Sequence, residues 1–201
     1  MKRAFSLLEL VFAAGLSFLL LTLTFRFFVP AVRISLRSQA RVSMQQRCAL
    51  SLQKLQADLF LTSAGAVSRT DEPDRPSILA LQPLELRTTL GRPTYQIKLI
   101  SYHVTGDRRL WRRIWQPPPN LGVAFETAAP HRISAAQLNQ LAGLTGFFES
   151  HLLTGDVEQF TVSSAIPAPN VANPVRIVLV LEHLEHRCRM EQAVFLKNVS
   201  L

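Results

Sequence analysis

The chain opens with Met1-Lys2-Arg3-Ala4-Phe5-Ser6-Leu7-Leu8-Glu9-Leu10, and the apolar run that begins here continues to Phe25. One carboxylate, Glu9, interrupts the run near its start, and the next charged residue is Arg26. Roughly 20 apolar residues suffice for a helix to cross a bilayer. A charged side chain costs on the order of 3 kcal/mol at the centre of a bilayer, so charged residues in such segments are usually functional. The stretch therefore predicts a membrane-spanning helix in which Glu9 has a specific role.

The order of these features differs from that of an ordinary secretory signal. In such a signal, basic residues precede an apolar core, and small residues behind the core mark the cleavage site. Here the best processing point lies before the core, between Ala4 and Phe5, so the apolar segment would stay on the mature protein. Two alternatives stay open. One is a signal anchor that is never cut, and the other is a conventional signal cut after Ala31.

The residues Lys2-Arg3-Ala4 followed by Phe5-Ser6-Leu7-Leu8-Glu9 resemble the class III leader of type IV pilins and pseudopilins. The resemblance implies that a prepilin peptidase cleaves between Ala4 and Phe5 and that the new amino terminus on Phe5 is N-methylated. It also implies that Glu9 makes an assembly contact with the methylated amine of Phe5 on an adjacent subunit. A simpler alternative for Glu9 is a position close enough to the membrane interface to reach headgroup water.

The charge of the chain is concentrated in its first third. The 201 residues leave room for one domain beyond the membrane helix, and the formal net charge is +8. Residues 1–64 hold eight Lys and Arg against two acidic residues, so the remainder is close to neutral. Arg33, Arg37 and Arg41 would form one stripe on a helix, either as a solvated face or as a contact with neighbouring subunits. The positive net charge alone is weak evidence for nucleic-acid binding.

The two cysteines, Cys48 and Cys188, are far apart in the sequence. The resemblance places the body of the protein outside the cytoplasm, where disulfides form. Closing a loop of this length would stabilise the fold by up to about 4–5 kcal/mol in the chain-entropy model. The sequence leaves two alternatives, a disulfide and a pair of buried thiols.

The chain divides into a long helical part and a β-rich part. Residues 5–64 contain one Gly and one Pro and predict a helix, with 5–25 in the membrane and a kink near Pro30. The spacing of apolar residues from Leu52 onward predicts that one helix face packs on a sheet. Alternation and turn signals predict strands at 78–81, 84–89, 95–104, 109–115, 157–164, 175–182 and 190–197. A short helix is predicted at 134–142, with Ser134 as its cap.

The predicted fold class is therefore α+β, and the resemblance implies the type IV pilin fold. Its parts would be a leader at 1–4, an amino-terminal helix at 5–64 and a β-rich globular head at 65–201. The order of elements is similar to that of PilW-like and J-type minor pseudopilins. The matching stretches are 100–102 with 110–113, then 153–160, 175–180 and 194–198.

One strand-like stretch combines basic and aromatic side chains: Arg109, Trp111, Arg112, Arg113 and Trp115. Such a mixture can bind single-stranded nucleic acid through phosphate contacts and base stacking. It is equally typical of a sheet strand whose Arg side chains stack on Trp at the surface. The second interpretation is preferred, and a nucleic-acid contact stays as the alternative.

The sequence contains no pattern that predicts catalysis. His183, His186 and Cys188 are metal-ligand types, but a structural zinc site needs four ligands and no second cluster appears. A nucleophile elbow, a phosphate-binding loop and a zinc-protease helix are absent from the sequence. We therefore expect no enzyme activity, no metal and no cofactor.

The resemblance implies a minor pilin or pseudopilin, a structural subunit of a type IV pilus or type II secretion pseudopilus that primes assembly near the tip. It implies three partners: the prepilin peptidase, other minor and major pilins or pseudopilins, and the inner-membrane assembly platform. The chain would span the cytoplasmic membrane once, with its body outside, before it enters the filament. The alternatives are a DNA-binding minor pilin of a competence filament, a membrane-anchored enzyme, and an anchored extracytoplasmic protein unrelated to filaments.

Overall fold

The computed structural model describes residues 6–70, 72, 75–85, 94–122, 125–183 and 186–196. A long helix comes first, and most of the later elements are strands. The elements are α1 (Leu7–Phe60), β1 (Val67–Arg69), β2 (Leu79–Leu81), β3 (Leu84–Glu85), β4 (Thr94–Tyr95), β5 (Leu99–Val104), β6 (Leu110–Trp115), α2 (Ala135–Gly143), β7 (Glu149–Thr154), β8 (Val157–Ser163), β9 (Val175–His183) and β10 (His186–Val194). A 3-10 turn at Ala64–Ala66 separates α1 from β1.

The chain forms two compact units, and the division between Ser43 and Met44 falls inside α1. Every described residue before Met44 is exposed, whereas the rest of α1 contributes buried side chains to the second unit. We call this second unit, from Met44 onward, the head. The head therefore begins within the helix, and residues 44–60 of α1 belong to its core.

The head is built from antiparallel sheets. One sheet has the order β1-β2-β5-β6-β7, a second has the order β10-β9-β8, and β3 pairs with β4. The α1 side chains that face these sheets recur every three or four residues, as on one side of a helix. They are Met44, Cys48, Leu52, Leu55 and Leu59, and they share one hydrophobic core with inward residues of both large sheets. The α+β class and the packing of the helix face on sheet are confirmed, while the type IV pilin fold stays a prediction.

The other face of the five-stranded sheet carries a second, smaller core. Leu99 and Trp115 lie opposite each other on β5 and β6 and pack with Leu138 and Leu141 of α2. The predicted cap of α2 is confirmed, because the backbone amide of Gln137 donates to Ser134 Oγ and the amide of Ser134 donates to the Gln137 side chain. The sheet is therefore covered on one face by α1 and on the other by α2.

Several elements differ from the sequence prediction. The predicted strand 95–104 is divided into β4 and β5, and β10 begins at His186 rather than at residue 190. The helix ends at Phe60, before the predicted residue 64, because the amides of Leu61 and Thr62 bond three residues back and tighten the last turn. The Thr62 hydroxyl also donates to the Gln82 carbonyl at 2.6 Å, which draws the chain toward the sheet. Strands β1 and β7 were not predicted. Strand β7 lies at a sheet edge with most of its side chains partly or fully exposed, so it lacks the alternation that marks a half-buried strand.

Candidate functional site

The first turn of α1 holds the carboxylate that the leader-like sequence singles out. The Ser6 amide donates to Glu9 Oε2 at 3.0 Å, and the Glu9 amide donates to Ser6 Oγ at 3.2 Å. These reciprocal bonds form a capping box, which satisfies two amide donors at the helix start. The Ser-x-x-Glu spacing is the sequence signal for this cap, and the prediction did not use it. The predicted cleavage and methylation residues, Ala4 and Phe5, lie outside the described residues.

The helix beyond this cap is long and apolar enough to cross a membrane. Residues 10–25 carry no charge, and all of them are exposed. The hydroxyls of Thr22 and Thr24 donate to the carbonyls of Phe18 and Leu20 at 2.8 Å in each case. Hydrocarbon offers no hydrogen-bond partner, so a spanning segment must satisfy its polar groups internally. The hydroxyls of Thr22 and Thr24 meet that requirement.

The part of α1 after the apolar run carries the basic residues. The helix continues through Pro30, where a kink was predicted. Arg33, Arg37 and Arg41 follow at intervals of four residues and are exposed. The predicted basic stripe therefore exists on one side of the helix.

Strand β6 distributes its Arg and Trp side chains over two faces of the sheet. Alternate residues of a strand point to opposite faces. Leu110 and Ile114 lie in the core that contains α1, and Arg112 shares their face. Trp115 lies in the core that contains α2, on the face that Trp111 and Arg113 share. Neighbouring Arg and Trp residues of β6 therefore lie on opposite faces of the sheet.

Arg112 forms a buried ion pair with Asp58, near the end of α1. Arg112 Nε lies 2.5 Å from Asp58 Oδ2, and the Tyr102 hydroxyl donates to the same oxygen. Asp58 is 3% exposed, Arg112 is 6% exposed and Tyr102 is fully buried. Burial acts to lower the pKa of Arg112, but the hydrogen bond and charge of Asp58 outweigh it and raise that pKa. This cluster joins α1 to β5 and β6.

Tyr102 and Asp58 are buried, hydrogen-bonded residues of the head that the sequence did not single out. Burial, followed by the charge of Asp58, raises the pKa of the Tyr102 hydroxyl. Asp58 also follows Leu55 by three residues and precedes Leu59, which puts a carboxylate on the apolar face of the helix. A charged residue on such a face needs a buried partner. The position of Asp58 on this face was therefore the sequence signal for a buried ion pair.

Arg113 binds the end of α2. Its Nη1 donates to the carbonyls of Ala142 and Leu144 at 3.1 and 3.2 Å, and its guanidinium carbon lies 4.9 Å from the centre of the Phe147 ring. Burial lowers the pKa of Arg113. A cation at the carboxyl end of a helix binds carbonyl groups that have no partner within the helix. Arg113 therefore holds α2 against the sheet.

The remaining members of the Arg–Trp stretch lie near the turn that precedes β6. Arg109 Nε lies 3.1 Å from Asp107 Oδ2, and both side chains are about half exposed. Trp111 is partly buried. With Arg112 and Trp115 buried and Arg113 bound to α2, the five residues do not form one surface. A nucleic-acid contact through all five together has no support in this geometry.

The His183–Cys188 stretch spans the end of β9 and the start of β10. His183 lies opposite His186 in the sheet register, and His183 Nδ1 lies 3.2 Å from Asp156 Oδ1. Cys188 is buried in the same hydrophobic core as Cys48 of α1, and both are free thiols. In the described part of the chain, no group of three His, Cys, Asp or Glu side chains is arranged to hold a metal ion.

One further titratable group is buried on β5. His103 is 3% exposed and lies opposite Trp111. Within the described residues, neither of its ring nitrogens has a hydrogen-bond partner. Burial, followed by the charge of Arg113, lowers the pKa of His103 from its ordinary value of 6.5 to about 4. The folded head therefore holds this imidazole neutral.

His103 should make the stability of the head depend on pH. Between about pH 6.5 and pH 4, the unfolded chain binds a proton on His103 that the folded head does not bind. The free energy of unfolding is therefore expected to fall as the pH falls through this window, by up to about 3 kcal/mol. Urea unfolding of the full chain in mild detergent, followed by tryptophan fluorescence at several pH values, measures this slope.

The matched variants are His103→Gln and His151→Gln. His151 on β7 is 51% exposed and lies near Glu149, so it has no comparable burial. We expect His103→Gln to remove most of the slope between pH 6.5 and pH 4, whatever its effect on absolute stability. His151→Gln should leave the slope unchanged. An unchanged slope in His103→Gln would contradict the assignment.

No protein-family model, curated protein or solved structure matches this chain.

Proposed function

We propose that this chain is a minor pilin or pseudopilin, a structural subunit that α1 anchors in the cytoplasmic membrane before assembly into a filament. One observation carries the proposal. A leader-like sequence stands directly before a helix whose first turn contains Glu9 and whose next 16 residues, 10–25, carry no charge. The basic residues, the processing point, the acid and the apolar run occur in the order and spacing of the family leader.

The geometry of α1 supports a role in the membrane. All described residues from 6 to 43 are exposed, so within this chain the apolar part of α1 contributes no residue to a buried core. Exposed apolar surface of this extent marks a site for membrane or for partner chains. A subunit that resides in the membrane and later packs with other helices needs apolar surface for lipid and for partner chains.

The removal of residues 1–4 would leave the capping box intact. Its donors and acceptors belong to Ser6 and Glu9, which both lie after the proposed cut. The mature helix would then begin at Leu7, two residues after a new amino terminus on Phe5. In this form Glu9 can accept from its own Ser6 amide and still offer its charge to the amine of a neighbouring subunit.

One cleft in the head bears on the alternative that this chain is a membrane-anchored enzyme. A cleft beside the β5–β6 turn is lined by Arg108, Glu158 and Glu182, among others. Arg108 pairs with Glu182 at 3.3 Å, and Glu158 pairs with Arg187 at 2.7 Å. These charges are directed at each other, whereas a catalytic pair needs groups that converge on a substrate. The membrane-anchored enzyme is therefore the weaker alternative.

The function of this chain would consist of its association with the membrane, with the assembly platform and with other subunits. A prepilin peptidase would free Phe5, and the helix would hold the subunit in the membrane. The assembly platform would then transfer it to a filament, where α1 packs with other helices and the sheets of the head meet neighbouring subunits. In a minor subunit these contacts prime the assembly of the filament at its tip.

The amino-terminal mass of the protein purified from its native membrane tests this proposal. We expect a chain that begins with N-methylated Phe5, since the leader-like sequence directs the cut between Ala4 and Phe5. A chain that begins at Val32 would indicate a secreted protein and would overturn the proposal. A chain that retains Met1 would indicate a plain membrane anchor, which also contradicts it.

A further inference from the structure

The two cysteines of the chain meet in the core of the head. Cys48 lies on the buried face of α1 and is fully buried, while Cys188 lies on β10 and is 8% exposed. Both cysteines are unbonded in the structure and belong to the same hydrophobic core, and Cys48 Sγ lies 3.7 Å from the Leu179 carbonyl of β9. In the sheet register Cys188 is paired with Leu181 of β9. A helix and two strands thus bring together two thiols from opposite ends of the head.

We propose that Cys48 and Cys188 form a disulfide that ties α1 to β10 when the head folds in an oxidising compartment. That the head folds in an oxidising compartment rests on the proposed function. The position of the two cysteines in one core does not depend on it. The position is suited to a cross-link because α1 and β10 are the first and last elements of the head, and no described strand follows β10. The bond would join β10 to the helix that is proposed to enter the membrane.

The reaction needs an oxidant, and a disulfide-bearing oxidoreductase or glutathione disulfide is the class that supplies it. One cysteine thiolate attacks a sulfur of the oxidant, and the other sulfur of the oxidant leaves as a thiolate. The second cysteine then attacks the mixed disulfide, which forms the Cys48–Cys188 bond and releases the oxidant in its dithiol form, or as two glutathione molecules. The two cysteines lose two electrons and two protons, and the oxidant gains them.

The order of events follows from burial. Burial, followed by the charge and the hydrogen bond of Cys188, raises the pKa of Cys48 to about 12. At neutral pH only about one molecule in 10⁵ would then carry the thiolate that attacks. The folded head also leaves no path for an oxidant to reach Cys48, which is fully buried. The disulfide must therefore form while α1 is still packing onto β10.

The first experiment is oxidative refolding of the full chain in detergent micelles, in a buffer of reduced and oxidised glutathione. We expect the refolded protein to have lost two hydrogen atoms by intact mass and to show no free thiols after denaturation. Reduction should lower the melting temperature by about 10 °C, because the bond closes almost the whole head into one loop. The reduced, folded head should resist a thiol-reactive reagent, and the unfolded chain should react fully.

The matched variants are Cys48→Ser, Cys188→Ser and the double variant. None of them can form the bond, so the reductant should leave their melting temperatures unchanged. If wild type retains two free thiols after refolding in the oxidising buffer, although the head is folded by fluorescence, the proposal is overturned. Mixed glutathione adducts on both cysteines, without the internal bond, would overturn it as well.

A second measurement separates this inference from the proposed function. The thiol state and the amino terminus are determined together on protein purified from its native membrane, with free thiols blocked at lysis. A disulfide with N-methylated Phe5 supports both proposals. A disulfide with Met1 retained supports the cross-link and contradicts the pilin role. Free thiols on a methylated chain overturn the cross-link alone.

Discussion

Replacement of Asp58 by alanine is expected to lower the free energy of unfolding of the head by about 3–5 kcal/mol. The substitution leaves the guanidinium of Arg112 without its counter-ion in a site where that side chain is 6% exposed. It also removes the acceptor of the Tyr102 hydroxyl. Because a buried charge without a partner costs far more than the pair contributes, the loss should exceed that of any surface substitution.

Urea unfolding of the full chain in detergent measures this loss, with fluorescence from Trp111 and Trp115 as the signal. Both residues lie on β6, and Trp115 packs edge-on to Phe147, so the signal reports the head. Two control variants separate the contributions to this loss of stability. Tyr102→Phe removes one hydrogen bond and should cost about 1–2 kcal/mol. Arg187→Ala breaks an exposed pair with Glu158 and should cost less than about 1 kcal/mol.

A combined substitution completes the test. Asp58→Leu combined with Arg112→Met replaces both charges by apolar groups, and such exchanges are often neutral or stabilising. Because the buried Tyr102 hydroxyl would then have lost its acceptor, Tyr102→Phe is added to the pair. We expect this combined variant to regain most of the stability that Asp58→Ala loses. A loss below about 1 kcal/mol in Asp58→Ala would show that the cluster is not buried as the structure has it.

Replacement of Glu9 by glutamine is expected to reduce incorporation of the subunit into filaments about tenfold or more. A glutamine at the third helical position serves a capping box as well as a glutamate, so the local bonds to Ser6 survive. The charge, however, is lost. If Glu9 accepts from a charged amine on a neighbouring subunit, the lost charge-assisted bond is worth at least about 1.5 kcal/mol.

The matched control is Ser6→Ala, which breaks half of the capping box and keeps the charge of Glu9. We expect it to assemble within about twofold of wild type, because helix capping is not limiting in a helix this long. The amount of subunit in sheared filaments, normalised to the membrane pool, measures both variants, and mass spectrometry confirms that both are processed. If Ser6→Ala fails to assemble while Glu9→Gln assembles normally, Glu9 acts as a helix cap and the contact with the amine is wrong.

The prediction from sequence succeeded where a structure is specified by neighbouring residues. The cap of α2 required only Ser134 and the residues directly after it. The helix face that packs on the sheets was visible in the spacing of Leu52, Leu55 and Leu59. Strand β7 was missed because its partner β6 lies far back in the sequence and its own side chains do not alternate.

The Arg–Trp stretch shows a second kind of question that the sequence could not answer. Its composition is compatible with a nucleic-acid surface and with an ordinary strand, and the linear sequence does not choose between them. The choice depends on what covers each face of β6. Residues 44–60 of α1 cover one face and α2 covers the other, which buries Arg112 and Trp115.

The sequence by itself determined the leader-like amino terminus, the membrane-length helix and the α+β class, because charge order, apolar length and periodicity are properties of residues close together in the chain. Only the tertiary structure decided that Asp58 binds Arg112 and Tyr102, that Cys48 meets Cys188, and that His103 is buried without a partner among the described residues. These contacts join elements far apart in the sequence. Strand register and the packing of α1 on the sheets set the distances between such groups, and neither is encoded in a local pattern.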